Sequence, residues 1–541
     1  MDFFFNQPQQ VVDQVLGSLA RLAPLVMAEP GSAMRILARA DWHKQQVAVL
    51  SGGGAGHEPS HAGFIGKGML TAAISGEVFA SPSVAAVLAA IRHCCGAAGA
   101  LLIVKNYTGD RLNFGLAAEQ ARREGLDVRV LIVADDIALP DAPRPRGIAG
   151  TVLVHKYVGY LAEQGLSLDE VVKRAQRFAG QLMSLGMALS SCTLPGHPIE
   201  RRSAELGLGI HNEPGAHQVQ PVDAADAVEI VLGPLLQQAA QRYGDEQRFI
   251  VMLNNMGGCS TQELAVLADE VLSRIGVSRV ALMLRPAPLM TSLDMHGFSI
   301  TLLPADDDYV EAMHASVAAP AWPGVYEPHA VQTFAVSVDS NAAEEVGAQD
   351  AAVAQAIERI TQALLVAEQA LDELDARSGD GDAGSTFASG ARVVARQLHA
   401  AALSTGEPTR LCDELGQLLA RTMGGSSGVL LSILFTATGT AFASGKAWQQ
   451  ALDEGIARMQ HYGGAQLGDR TMLDALIPAV AALGQGLHAA AIAARNGADY
   501  TATLTHARAG RAAYVPEHAL AGAVDPGAEA VARAFAALAE T

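Results

Sequence analysis

The stretch GDGDAGST, Gly379–Thr386, sets Asp380 and Asp382 one glycine apart, with Asp375 five residues before Asp380. Three carboxylates this close repel one another unless a cation neutralises them, and such oxygen donors suit a hard divalent ion, Mg²⁺ above others. The spacing is not that of an EF-hand: counted from Asp380, position 5 is Gly384 and position 12 is Ala391, where that loop needs an oxygen ligand and a glutamate. The competing reading is an aspartate-rich turn that caps the next helix. Further on, TMGGSSGVLL (422–431) sets two glycines and two serines ahead of an apolar run. Backbone N–H groups at such a helix start attract an anion, and the helix dipole adds to the attraction. Beside a metal loop, a nucleotide phosphate becomes the better reading. GKG (66–68) and GKA (445–447) lack the Walker A pattern, so metal ions rather than a P-loop lysine must carry a triphosphate's charge.

A second group of reactive side chains lies near the start. GGGAGHEPSHAG puts His57 after a glycine turn, VKNYTGDRLNFG offers Lys105 and Asp110, and ELGLGIHNEPG puts His211 after a glycine pair. Glycine lets a ligand approach the backbone closely, which sets His57 and His211 apart from the other histidines.

These groups need elements to hold them. Apolar, β-branched runs recur at 47–50, 100–104, 128–133, 249–253 and 280–284, with helix-like segments such as LAAEQARREG between several of them. That alternation predicts α/β structure with a largely parallel sheet over the first 330 residues. The turns SGGGAGH, KNYTGD and NNMGG follow three of the strands, and ligands gather beyond the carboxyl ends of such strands. The three turns are therefore expected to converge. Pro320, Pro323 and Pro328 break the pattern, and 331–345 reads as an interdomain linker. From 346 to 541 the composition turns to alanine, leucine and glutamine with helical spacing. Val353, Ile357, Ile360, Leu364, Leu371 and Leu374 form one apolar stripe on a long helix that delivers Asp375 near its buried side. Further helices are expected near 409–421, 428–442, 447–460, 471–495, 498–510 and 526–539.

The 541 residues are too many for one core. Half are hydrophobic and 17% charged, which excludes a disordered chain. A net charge of -19 argues against broad binding of nucleic acid or anionic membrane. The five cysteines form no CxxC pair, MDFFFNQPQQ has no signal-peptide character, and no run is read as approaching a membrane span. The expectation is a cytoplasmic protein.

The motifs GGGAGHEPSHAGFIGKGML, VKNYTGDRLNFG, RGIAGTVLVHK and ELGLGIHNEPG resemble the substrate-binding domain of dihydroxyacetone kinases. LDARSGDGDAGSTF, TMGGSSG, GDRTMLDAL and DPGA resemble its nucleotide-binding partner domain, in the family's order along one chain, as in the ATP-dependent branch. The resemblance implies two α/β subdomains followed by an eight-helix barrel. It implies that His211 holds the substrate as a hemiaminal, that Gly54, His57, Lys105 and Asp110 contact it, and that Asp110 is the general base with His57 assisting. Asp375, Asp380 and Asp382 are implied ligands of two Mg²⁺ ions. Gly381, Asp382, Ala383, Gly384, Ser385, Ser426, Ser427, Met472, Asp525, Pro526 and Gly527 are implied ATP contacts. A homodimer is also implied, with the kinase domain of one chain able to serve the other. Ala55 and Ala513 stand where serine is frequent or expected, and Asn212 where glycine is frequent; none of the three removes a reactive group. Two alternatives stay open: a kinase for glyceraldehyde or a four-carbon ketose such as erythrulose, and a regulator that binds ligand without catalysis. The resemblance also takes in animal relatives with an FAD-splitting side activity.

Overall fold

The computed structural model describes residues 3–29, 34–139, 144–197, 202–336 and 347–540. The chain forms two compact units, Met1–Thr333 and Phe334–Thr541. Of the expected linker, residues 337–345 lie outside the described residues.

The first unit holds two sheets. One runs β1 (Leu25–Met27), β2 (Arg35–Arg39), β4 (Ala72–Val78), β3 (Ala48–Ala55), β5 (Ala100–Lys105), β6 (Val128–Val133) in spatial order. Strands β4, β3, β5 and β6 are parallel, as the alternation predicts, while β1 and β2 pair antiparallel at the edge. Helices α2 (Val84–Cys94) and α3 (Thr108–Arg123) share an apolar layer with one face of this sheet. On the other face, α4 (Thr151–Glu163) and α5 (Leu168–Ala179), together with α1 (Val11–Leu22), join a core that also takes side chains from the second sheet.

The second sheet follows the path β14 (Val325–Tyr326), β11 (Val280–Leu284), β10 (Phe249–Asn255), β13 (His296–Pro304), β7 (Met183–Ser190), β8 (Glu205–Leu206), β9 (His217–Gln218), with β12 (Ala287–Pro288) beside β10. Its far face is covered by α6 (Ala224–Tyr243) and α7 (Thr261–Ile275), while α8 (Asp307–His314) joins the shared core. Here the parallel expectation fails. Only β10 pairs parallel to β11 and β12; β13 runs antiparallel to both β10 and β7. The physical reason is the connection: α7 links β10 to β11 as a crossover, whereas β11 reaches β13 through a stretch without a helix, too short to return the chain parallel. The sequence reading also passed over β4, β7 and β13, whose glycines and serines hide the strand signal, and the five-residue β2, RILAR.

The second unit is helical throughout: α9 (Ala351–Val366), α10 (Glu368–Asp375), α11 (Ala383–His399), α12 (Pro408–Thr422), α13 (Gly425–Ala443), α14 (Trp448–Gly463), α15 (Leu473–Ala482), α16 (Leu487–Thr501), the short α17 (Glu517–Leu520) and α18 (Pro526–Ala539). Helices α9, α11, α12, α13, α14, α15, α16 and α18 each pack on the next, and α18 packs back on α9, so eight helices close a barrel. Of the expected stripe, Val353, Ile357, Leu364, Leu371 and Leu374 lie on the barrel core, with Leu371 fully buried, but the helix is broken at Ala367 into α9 and α10. The helix expected over 471–495 is likewise broken, at Gly486 (φ 106°), a backbone conformation suited to glycine. The one expected over 498–510 is the end of α16, which stops at Thr501. Finally, α13 is 19 residues long with mean hydropathy 1.4, enough by length and composition to cross a membrane, so the reading that no run approaches a span was too strong. It is a barrel stave between α12 and α14.

Candidate functional site

In the first unit, β3 and β5 run side by side and end at the same edge. β3 finishes in Gly52-Gly53-Gly54-Ala55 and leads to His57; β5 finishes on Lys105, and Asp110 follows in the first turn of α3. A Cβ on Gly53 would lie 2.7 Å from Lys105 Nζ and 3.4 Å from Asp110 Oδ2, so ammonium and carboxylate both reach a stretch of backbone that no side chain can cover. Gly54 packs on the backbone of Phe79 and Ala80. Lys105 is fully buried; burial lowers its pKa, and Asp110 partly offsets this.

His57 is also fully buried. Its Nδ1–H donates to the Thr291 carbonyl at 2.9 Å, and Nε2 has no partner among the described residues. Burial, then Lys105 and His211, hold its pKa well below the ordinary value, so the ring is neutral. His211 arrives from the segment after β8. Its imidazole stands edge-on to His57 (centroids 4.9 Å), Phe79 (5.6 Å) and Tyr107 (4.3 Å). Glu213 accepts from the His211 backbone N–H at 2.9 Å and lies 3.5 Å from Nδ1. Asn212 between them has φ 65°, and Arg202 donates to its carbonyl at 3.1 Å. Asparagine tolerates this left-handed backbone better than other side chains, which accounts for a position where glycine is frequent.

His57, Lys105, Asp110 and His211 thus form one cluster, and the three glycine turns do converge. They meet through a segment the sequence reading missed. Leu293 N–H donates to the Gly56 carbonyl at 2.8 Å, and Ser292 N–H to the Met256 carbonyl at 2.9 Å. Tyr107, Phe79 and His61 were missed as well. Tyr107 was visible inside VKNYTGD, but an aromatic after a strand carries no signal of its own.

In the second unit a cavity of about 740 Å³ is lined by Asp375, Asp382, Ala383, Ser426, Ser427, Met472, Asp525, Pro526 and Gly527. Helices α11, α13, α15 and α18 all begin at it, so their unpaired N–H groups and dipoles favour an anion there. Oxygens of Asp375, Asp380 and Asp382 lie within 4.8 Å of one another. One Asp375 oxygen already accepts from the N–H groups of Gly381, Asp382 and Ala383 at 3.0–3.3 Å, so this residue also caps the turn into α11. Desolvation and the Asp380 charge raise the Asp382 carboxyl from its ordinary value, and Arg511 opposes them.

Gly381, Gly384 and Ser385 are not among the residues lining the cavity. A Cβ on Gly384 would lie 1.9 Å from the Glu368 carbonyl oxygen, where α11 meets α10, and Ser385 donates from both N–H and hydroxyl to Asp372. Two cavity cations went unread in the sequence. Arg511, in AGRAAYVP, pairs with Asp380 and lies 3.7 Å from Asp382. Arg470, in GDRTMLDAL, is 1% exposed with φ 63°; one nitrogen donates to the Ala523 carbonyl at 2.8 Å, and the other two have no partner among the described residues. Burial pushes the neighbouring Asp525 carboxyl up to about 6.

Comparison with known proteins matches residues 18–321 to the Dak1 domain and 377–540 to the DAK2 domain. The chain is 47% identical to the dihydroxyacetone kinase of Citrobacter freundii, covering 100% of this chain and 99% of that one. It is 40% identical to the human triokinase/FMN cyclase, covering 99% and 98%. The crystal structure of the C. freundii dihydroxyacetone kinase in complex with AMP-PNP and Mg²⁺ matches with a TM-score of 0.70 at 46% identity, covering 100% and 99%.

Proposed function

The chain belongs to the dihydroxyacetone kinase family, with a Dak1 and a DAK2 domain in one polypeptide, and on that premise we propose that it transfers the γ-phosphoryl group of ATP to dihydroxyacetone, giving dihydroxyacetone phosphate and ADP. The observation that carries this reading is the cluster of His211, His57, Lys105 and Asp110 around bare glycine backbone. With Nδ1 facing Glu213, His211 keeps the Nε2 lone pair for a carbonyl carbon. A C–N bond forms as the C=O π bond breaks; the new oxyanion takes a proton, and the Nδ1 proton leaves by way of Glu213. Glycerol has no carbonyl and is excluded. His57, its Nδ1–H spent on Thr291, offers Nε2 as an acceptor for a substrate hydroxyl. Lys105 donates to a substrate oxygen. Asp110 takes the proton of the reacting hydroxyl as its oxygen bonds to the γ-phosphorus and the bond to the β-phosphate oxygen breaks.

The second unit would hold the nucleotide in its 740 Å³ cavity, with the α11 and α13 N-termini, Ser426 and Ser427 on the phosphates. The clustered oxygens of Asp375, Asp380 and Asp382 are hard donors that fit Mg²⁺. When bound, the metal neutralises the triphosphate and the charge that develops on transfer. The proposal extends to a cytoplasmic homodimer; the five free cysteines support a reducing compartment, and light scattering tests the dimer.

The deciding experiment mixes the purified chain with Mg-ATP and a panel of dihydroxyacetone, glyceraldehyde, erythrulose and glycerol. ADP release with dihydroxyacetone and none with glycerol is expected. No release above background with any carbonyl compound overturns the kinase reading and leaves a ligand-binding regulator.

A further inference from the structure

The cluster has a floor that none of the roles above uses. Beneath Lys105 lie Ser51, His61 and His155, all at most 4% exposed. Lys105 Nζ is 2.9 Å from His61 Nε2, His61 Nδ1 is 3.3 Å from Ser51 Oγ, and Ser51 Oγ donates to the Ile103 carbonyl at 2.8 Å. These contacts fix the protons. The carbonyl of Ile103 can only accept, so the single Ser51 hydroxyl proton points at it and Ser51 offers lone pairs to His61. Nδ1 of His61 therefore carries the ring proton, and Nε2 presents a lone pair to the ammonium. The ring plane is held from the side, because His155 stands edge-on to His61 with centroids 5.1 Å apart and Phe64 lies against His155 at 6.2 Å.

A lysine ends in a rotatable head with three donors on a flexible stem, and a buried site gains nothing from it unless the head is aimed. We infer that His61 is a positioning residue: its imidazole takes one N–H of Lys105 and so turns the other two toward the Gly53 surface and Asp110, where a substrate oxygen would sit. His61 acts only through Lys105 and touches no reacting atom. The inference rests on the kinase reading for its consequence, but the bond itself is independent of it.

The test uses the full chain with His61→Gln and His61→Asn. Glutamine places an amide oxygen near the Nε2 position and keeps an acceptor for Lys105; asparagine reaches only the Nδ1 position and keeps a partner for Ser51 alone. Losing a hydrogen bond to a charged group predicts that His61→Asn lowers kcat/KM for dihydroxyacetone roughly 10- to 100-fold, with KM for Mg-ATP unchanged. His61→Gln is expected to recover most of the loss at equal melting temperature. Equal defects in both variants, or full activity in His61→Asn, overturn the inference. If the wild type turns over no carbonyl substrate, the kinase reading falls separately, and crystal structures of the two variants judge His61: Nζ of Lys105 holds its place in the glutamine variant and swings away in the asparagine variant. An unmoved Nζ in both overturns the inference.

Discussion

The Tyr107 ring stands edge-on to the His211 imidazole, with centroids 4.3 Å apart and planes at 80°. One residue comes from the turn after β5 and the other from the segment after β8, so tertiary packing alone sets this contact. The tyrosine hydroxyl is buried without a partner among the described residues. A buried unpaired hydroxyl costs stability, whereas the ring supplies the contact. Tyr107→Phe should therefore keep KM for the carbonyl substrate within about twofold and leave stability equal or raised by up to about 1 kcal/mol. Tyr107→Ala should raise that KM by about tenfold or more, since the imidazole loses its wall. Steady-state kinetics and urea unfolding of both variants check this.

His211→Ala should lower kcat/KM for dihydroxyacetone by roughly a hundredfold or more, because both the covalent hold on the carbonyl and its orientation are lost. Asp110→Asn should lower kcat by roughly 10²–10⁴-fold, the usual range for a lost general base. Neither should change the affinity for Mg-nucleotide, read by titration calorimetry. A His211→Ala enzyme with unchanged kcat/KM would remove the hemiaminal from the account.

The acidic loop predicts a metal-dependent gain in stability. At a hundred times Kd, Mg²⁺ with a non-hydrolysable ATP analogue should stabilise the chain by about 2.7 kcal/mol, which for a helical unit of this size is a rise in Tm of roughly 5–10 °C. Asp380→Asn should lose most of that rise. Arg511→Ala removes the cation that now pairs with Asp380, so free Mg²⁺ should bind it more tightly than the wild type. Differential scanning calorimetry with and without ligand separates these outcomes.

Asp135 sets a pH dependence in the first unit. It accepts from the N–H groups of Ile148 at 2.8 Å and Gly150 at 2.9 Å, yet full burial pushes its carboxyl up to about 6 from 3.8. The folded state then holds the proton more tightly than the unfolded state, so stability falls as pH rises through that window. The contribution is complete below about pH 4 and gone above about pH 6. Asp135→Asn, which carries no titrating proton, should therefore trail the wild type by more at pH 4.5 than at pH 7.5. A difference of about 1–3 kcal/mol between the two pH values is expected from urea midpoints.

Local pattern carried much of this protein. Glycine after a strand, aspartate spacing and helical periodicity are written in neighbouring residues, so the parallel strands β3, β5 and β6 of the first sheet, the helical second unit and the reactive side chains at 57, 105, 110, 211 and 375–382 were legible one by one. Pairing partners far apart in the chain were not. Strand β13 turned antiparallel because of the length of a connection, and β7 had too few β-branched residues to be seen before β13 lay beside it. The break at Ala367 falls where the chain turns into α10, which packs on α11. Tyr107 against His211, Arg511 against Asp380 and His61 beneath Lys105 join residues that sequence leaves 44 to 131 positions apart. Burial then decided their chemistry. A histidine or lysine reads the same wherever it stands in a string of letters, and its proton is assigned only when the groups around it exclude water.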